Sequence, residues 1–171
     1  MKYLFLDIDG VLNTGKYQEC LIRDGLPFTD DDGALFDPNA IDNLRYIIEK
    51  TSAKIVLTST WRMDGIDAMR EMWKRRKMPS YVYSITPHSI TRFANIDTKD
   101  EWSKHSIGSR GMEVNEWLHR NSNDTNAYAI LDDESDYLLH QAKHLVITDS
   151  YRGITKEIAS KVIELLTRHF R

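Results

Sequence analysis

The chain has 171 residues, a formal net charge of -3, 41% hydrophobic and 29% charged residues, which is the make-up of one globular domain. Nothing in that balance calls for nucleic acid or an anionic membrane as a global partner, and no apolar run approaches the roughly 20 residues that span a bilayer. The lone Cys20 cannot form a disulfide within the chain, and the one lysine and few apolar residues before Asp7 are too short for a secretion signal, so a cytoplasmic protein is the expectation.

Tyr3 to Leu6 is a continuous apolar run, which reads as a strand buried on both faces of a parallel sheet. It runs into Asp7-Ile8-Asp9-Gly10. Residues two apart on a strand point the same way, so Asp7 and Asp9 converge where the chain leaves the sheet. Two carboxylates that close repel unless a proton or cation lies between them. An Asx-type turn explains one such Asp but not the pair at the end of a buried strand.

Asn13 to Asp37 is polar and turn-rich and reads as a long loop, with Asp30-Asp31-Asp32 as a solvated acidic turn. Asp37-Pro38 starts a helix whose apolar face carries Ile41, Leu44 and Ile48. Lys54 to Leu57 is the second buried strand. It ends in Thr58-Ser59-Thr60-Trp61-Arg62, hydroxyls and an arginine suited to an anion. Asp64 to Lys77 reads as a helix with Ile66, Met69 and Trp73 inward. Its cluster Lys74 to Lys77 reads as a solvated helix end rather than a nucleic-acid patch. Tyr81 to Ile85 is a short strand. His88 to Ser109 carries His88, Arg92, Lys99, Lys104 and His105 without a periodic pattern.

Arg110-Gly111 opens a helix with Val114, Trp117 and Leu118 inward. Ala127 to Leu131 is another buried strand, ending in Asp132-Asp133 with Asp136 close behind. Leu145 to Thr148 is the last strand, and Gly153-Ile154-Thr155 leads into a final helix bearing Ile158, Val162 and Leu165. Strands alternating with helices imply an α/β domain, a Rossmann-like parallel sheet sandwiched by helices. Ligands of such sheets bind at the C-terminal ends of the strands, where Asp7/Asp9, Thr58/Ser59 and Asp132/Asp133 all fall. An all-oxygen acidic cluster suits Mg²⁺, which takes remaining ligands from water and phosphate. The six histidines show no tight ligand spacing, so zinc is not expected.

The chain resembles the haloacid dehalogenase (HAD) superfamily of phosphotransferases. Asp7-Ile8-Asp9-Gly10-Val11-Leu12 matches its first signature, Thr58 its second, Arg110 its third and Asp132-Asp133 its fourth, in the family's order. Val-Leu-Thr-Ser-Thr-Trp-Arg and Arg-Gly-Met-Glu-Val-Asn-Glu-Trp resemble a branch of small, minimally capped members that includes phosphatase domains of nucleic-acid repair enzymes. The resemblance implies Asp7 as nucleophile and Asp9 as general acid and base. It implies a phosphoryl group bound by Thr58 or Ser59 with Arg62 and Arg110. Lys99 or Lys104 is an alternative cation. Mg²⁺ is expected on Asp7, Asp9, Asp132 and Asp133.

One domain spanning 1–171 is expected, with short insertions at 13–37 and 87–109 that are too small for a globular cap. An open site would admit a polynucleotide end, the leading expectation for the substrate. A small-metabolite phosphatase or nucleotidase is the alternative. A receiver-like module, phosphorylated on Asp as a signal, and a catalytically silent interaction domain are the non-enzyme readings. The first would need its acceptor Asp where this chain has Thr58, and a Lys where it has Asp149.

Overall fold

The computed structural model describes residues 1–87, 109–121 and 127–168. His88, Arg92, Lys99, Lys104 and His105 lie outside them. Five strands form one parallel sheet in the spatial order β5-β4-β1-β6-β7: β1 (Lys2–Leu6), β4 (Lys54–Leu57), β5 (Val82–Ile85), β6 (Ala127–Asp132) and β7 (Leu145–Ile147). The chain builds outward from β1 to β4 and β5, then returns to lay β6 and β7 on the other side. The strand order therefore reverses between β1 and β6, which is where open α/β sheets bind ligands.

Alternation along the strands divides the core. Leu4, Leu6, Ile55, Leu57, Ala129 and Leu131 face α2 (Pro38–Thr51), α3 (Gly65–Arg75) and α5 (Lys156–Thr167). Tyr3, Phe5, Val56 and Ile130 face α4 (Ser109–Arg120), whose Val114 and Trp117 close that side. Trp117 meets Tyr3 and Phe5 edge-on, at centroid distances of 4.8 and 5.3 Å, and its indole N–H donates to Ser84 Oγ at 2.9 Å. The indole N–H is therefore satisfied inside an aromatic cluster.

The stretch 13–37 is not the loop that its polarity implies. Thr14, whose hydroxyl accepts from the Tyr17 N–H at 3.2 Å, caps helix α1 (Gly15–Arg23). Only Leu21 of that helix is buried, so the apolar stripe is nearly absent. A small antiparallel hairpin follows, β2 (Thr29–Asp30) and β3 (Gly33–Ala34). A 3₁₀ turn, Thr60–Asp64, stands between β4 and α3, and another, Leu139–His144, precedes β7.

The end of α3 is exposed at Lys74, Arg75 and Lys77, but it is also tied to the acidic turn. Arg75 pairs with Asp32, and Arg76 with Asp30 and the carbonyls of Gly33 and Ala34, so the acidic turn is neutralised from the helix. Among the described residues no helix is long and apolar enough to cross a membrane.

Candidate active site

Where β1 ends, Asp7 stays in the sheet: its N–H donates to the Leu131 carbonyl at 3.0 Å, and its side chain is 1% exposed. The chain then coils tightly. The N–H groups of Val11, Leu12 and Asn13 all point at the Ile8 carbonyl, at 3.2, 2.8 and 3.3 Å. Gly10 makes the turn at φ +65°, and a Cβ there would stand 2.2 Å from Asp133 Oδ2 and 2.9 Å from Ser150 Cβ. Glycine is needed both for the left-handed backbone and for the close approach of this loop to Asp133. Thr148, beyond β7, secures the loop by donating to the Gly10 carbonyl at 3.0 Å.

β6 is the hydrogen-bonded neighbour of β1 and delivers Asp132, fully buried, beside Asp7. One oxygen from each of Asp7, Asp132 and Asp133 lies within 4.8 Å of the others. Arg110 enters from the first turn of α4. Its Nη1 is 2.9 Å from Asp7 Oδ1 and donates to Asp132 Oδ2 at 2.8 Å. The Tyr137 hydroxyl donates to the same Asp132 oxygen at 2.6 Å, and the Glu134 N–H to its Oδ1 at 2.9 Å.

The placement of Arg110 depends on Gly111. A Cβ at 111 would meet the Leu138 backbone nitrogen at 2.6 Å and Gln141 Oε1 at 2.9 Å. The buried Gln141 amide bridges the two segments, donating to the Gly111 carbonyl and accepting from the Leu138 N–H, both at 2.9 Å. Asp136 lies at this junction, its carbonyl accepting from the Gly111 N–H at 3.3 Å. It sits beside the acidic cluster rather than in it.

β4 brings Thr58 level with Asp7. The Thr58 N–H donates to the Leu6 carbonyl at 2.9 Å, and its buried hydroxyl has no hydrogen-bond partner among the described residues. The Ser59 hydroxyl is occupied, accepting from the Trp61 N–H at 3.4 Å to cap the 3₁₀ turn. Arg62 turns inward and is 3% exposed. It donates to the Thr58, Ser59 and Thr86 carbonyls and pairs with the buried Glu113 of α4. The expected grip of Arg62 on phosphate does not fit these contacts, because its guanidinium is committed to protein acceptors beneath the loop. Asp9 is exposed. Its carboxylate accepts from Trp61 Nε1 and from Asn13 Nδ2 rather than joining the other three.

The charges at the site act on one another. Burial first, then the charge of Asp132, push the Asp7 carboxyl up to about 7, against the pull of Arg110. Burial works against the Arg110 charge, but Asp7 and Asp132 outweigh it and keep the guanidinium firmly protonated. Burial also raises Asp133 and Asp136. Both Asp7 oxygens, though buried, lack a well-aligned hydrogen bond among the described residues. Three converging hard oxygens, two of the carboxylates fully buried, form a donor set that fits Mg²⁺.

Tyr137 and Gln141 carry no local sequence signal and act through turns without a motif. Trp61 and Glu113 fall in the two stretches that carry the family resemblance, but their partners are distant in sequence. Asn13 and Thr148 have the one hint of lying just past a strand or its first motif.

The model of one protein family, described as the HAD domain in Swiss Army Knife RNA repair proteins, matches residues 3–159. No curated protein and no solved structure matches. A family model over that span, on a parallel sheet with its acids at the β1/β6 switch, leaves one conclusion: the chain belongs to the HAD superfamily, in the family of HAD domains of Swiss Army Knife RNA repair proteins.

Proposed function

We propose that the domain is a phosphomonoester hydrolase that removes a terminal phosphate from an RNA end. The observation that carries the chemistry is Asp7: a buried carboxylate paired with the Arg110 guanidinium but without a well-aligned hydrogen bond on either oxygen, beside two further carboxylates and an unbonded Thr58 hydroxyl. A solvated structural aspartate has no use for that combination. The RNA end as substrate rests on the family description.

In this reading an Asp7 oxygen attacks phosphorus, and the bond to the leaving oxygen breaks, giving an aspartyl-phosphate. Asp9 passes a proton to the leaving oxygen. It then takes a proton from the water that attacks the intermediate, releasing phosphate and restoring Asp7. Thr58 is the phosphate-binding hydroxyl, since it is buried beside Asp7 without a partner, whereas the Ser59 oxygen already accepts in the cap. Ser59 contributes by holding that turn. Arg110 offsets the charge of Asp7 and of the phosphoryl oxygens. Arg62 positions the Thr58-Ser59 loop through two of its three carbonyl contacts. Asp7, Asp132 and Asp133, with the Asp9 carbonyl, would hold Mg²⁺, which when bound supplies positive charge to the phosphoryl oxygens.

The test compares kcat/KM on a 3′-phosphorylated and a 5′-phosphorylated oligoribonucleotide, a mononucleotide and a sugar phosphate, at low and moderate salt. Preference for an oligonucleotide that fades as salt rises supports the RNA reading, because phosphate contacts release counterions. A mononucleotide or sugar phosphate preferred at every salt concentration overturns it.

A further inference from the structure

Asp9 is exposed at the mouth of the site, yet it is held. Trp61 Nε1 lies 3.2 Å from Oδ1 and 3.0 Å from Oδ2, and Asn13 Nδ2 donates to Oδ1 at 2.7 Å. Each carboxylate oxygen has about two acceptor positions. Two donors fill Oδ1, so Oδ2 keeps a position open for a proton in transfer.

Trp61 is held in turn. Its ring packs on Phe36, centroids 5.7 Å apart. The Arg76 guanidinium lies 4.2 Å from the Phe36 centroid and 5.5 Å from that of Trp61. Gly33 lies so close that a Cβ there would stand 2.9 Å from Trp61 Cη2, and its φ of +111° already excludes most side chains. The hairpin carrying Gly33 is fixed at both ends of its turn, by Arg76 on Asp30 and by Arg75 on Asp32.

We propose that Trp61 is a positioning residue for Asp9, and that the hairpin Thr29–Ala34 serves to hold the Trp61 indole rather than to cover substrate. This rests on Asp9 being the acid and base of the phosphatase proposed above. A carboxylate on a surface loop turns freely about its side-chain torsions. Two N–H donors, one from a rigid ring wedged between Phe36, Arg76 and Gly33, fix its aim. The gain is in orientation, and misplacement of about 1 Å costs on the order of 10²-fold in such steps.

The experiment uses Trp61→Phe, which keeps the ring and removes the donor, with Gly33→Ala as a second variant that displaces the indole without altering it. Each is assayed on an aryl phosphate with a good leaving group and on a 3′-phosphorylated oligoribonucleotide, whose alkoxide needs its proton. Circular dichroism and melting temperature check the fold. Expected is a loss of a few-fold on the aryl ester and roughly 10²-fold on the oligonucleotide. Neither variant should slow Asp9→Asn further by more than about threefold, since the two act through one group.

Equal losses on both substrates, or a full additional loss on top of Asp9→Asn, would overturn the proposal. So would wild-type behaviour of Trp61→Phe in an enzyme that Asp9→Asn slows. An inactive wild-type protein, or one indifferent to Asp7→Asn, would instead sink the phosphatase reading and this inference with it.

Discussion

Arg62 and Glu113 form an ion pair inside the protein, joining the turn after β4 to helix α4. The two are 3% and 4% exposed, and the guanidinium also donates to the carbonyls of Thr58, Ser59 and Thr86. Burial lowers the Arg62 pKa, and the charge of Glu113 offsets part of that lowering. Removing one partner of such a pair costs about 3–5 kcal/mol, because the other charge is stranded. Glu113→Ala should therefore lower the melting temperature by roughly 10 °C, at about 2–4 °C per kcal/mol for a domain of this size. Thermal unfolding checks it. Unchanged stability with a raised KM would return Arg62 to the substrate.

Asp7→Asn removes the proposed nucleophile, and turnover of a generic aryl phosphate should fall by about four orders of magnitude or more. Asp9→Asn should cost about 10²–10⁴-fold. Steady-state kinetics distinguish the two, and Asp7→Asn with near wild-type turnover would contradict the covalent route.

Metal binding can be read without activity. A ligand at 100 times its Kd stabilises the folded state by about 2.7 kcal/mol, which for this length is a rise of several degrees in melting temperature. Mg²⁺ should give that rise in the wild type and much less of it in Asp132→Asn. Ca²⁺ should also shift the melt but support little turnover, since its longer bonds misplace the phosphoryl group. A melt and a rate both indifferent to chelator and to added Mg²⁺ would remove the metal role of the acids.

Gly111→Ala should lower kcat with a modest loss of stability. Its Cβ would collide with the Leu138 backbone, so the start of α4 must shift and carry Arg110 off Asp7 and Asp132. A loss on the order of 10²-fold is expected. A rate equal to wild type would show that Arg110 reaches its place by another route.

His144 gives the fold a dependence on acid. Its ring stacks on Tyr128 at 3.9 Å, with Nδ1 3.1 Å from the Tyr128 carbonyl. Burial chiefly lowers its pKa, the carbonyl contact works the other way, and Lys143 and His140 add to the lowering. The folded value thus lies below the unfolded 6.5, so its contribution is complete above that pH and is lost as pH falls through the folded value. Asp7, Asp133 and Asp136, raised by burial, act in the opposite sense, and do so in wild type and variant alike. The urea midpoint of the wild type should therefore fall relative to that of His144→Phe, which keeps the stack, as pH drops below 6.5, and a difference independent of pH refutes the assignment.

The sheet and most of its acids were legible in the sequence, for a physical reason. β1, β4 and β6 are covered on both faces, so they read as continuous apolar runs, and the polar residue that ends each run marks the ligand edge. Helix α1 was not legible. It buries only Leu21, and periodicity cannot report a face that packs on little; the Thr14 cap was its one signal. Arg62 was misread because an arginine beside a phosphate motif looks free until its partner is found, and Glu113 lies 51 residues away. Asp9 and Trp61, 52 residues apart, posed the same problem. The pairing of Asp30 and Asp32 with Arg76 and Arg75 likewise turned an acidic loop and a basic helix end into one structure.

The strand order has a consequence for synthesis on the ribosome. β1, first in the chain, pairs with Lys54–Leu57 on one edge and Ala127–Asp132 on the other. Its second edge stays open until residue 132 has left the exit tunnel, several seconds after β4 at about 5–20 residues per second. Over that interval one edge of β1, apolar from Tyr3 to Leu6, is unpaired, which is a template for aggregation. Asp7 at its tip gains Asp132 as a neighbour only when that edge closes, so the pairing that covers the exposed edge is also the one that brings the acids together.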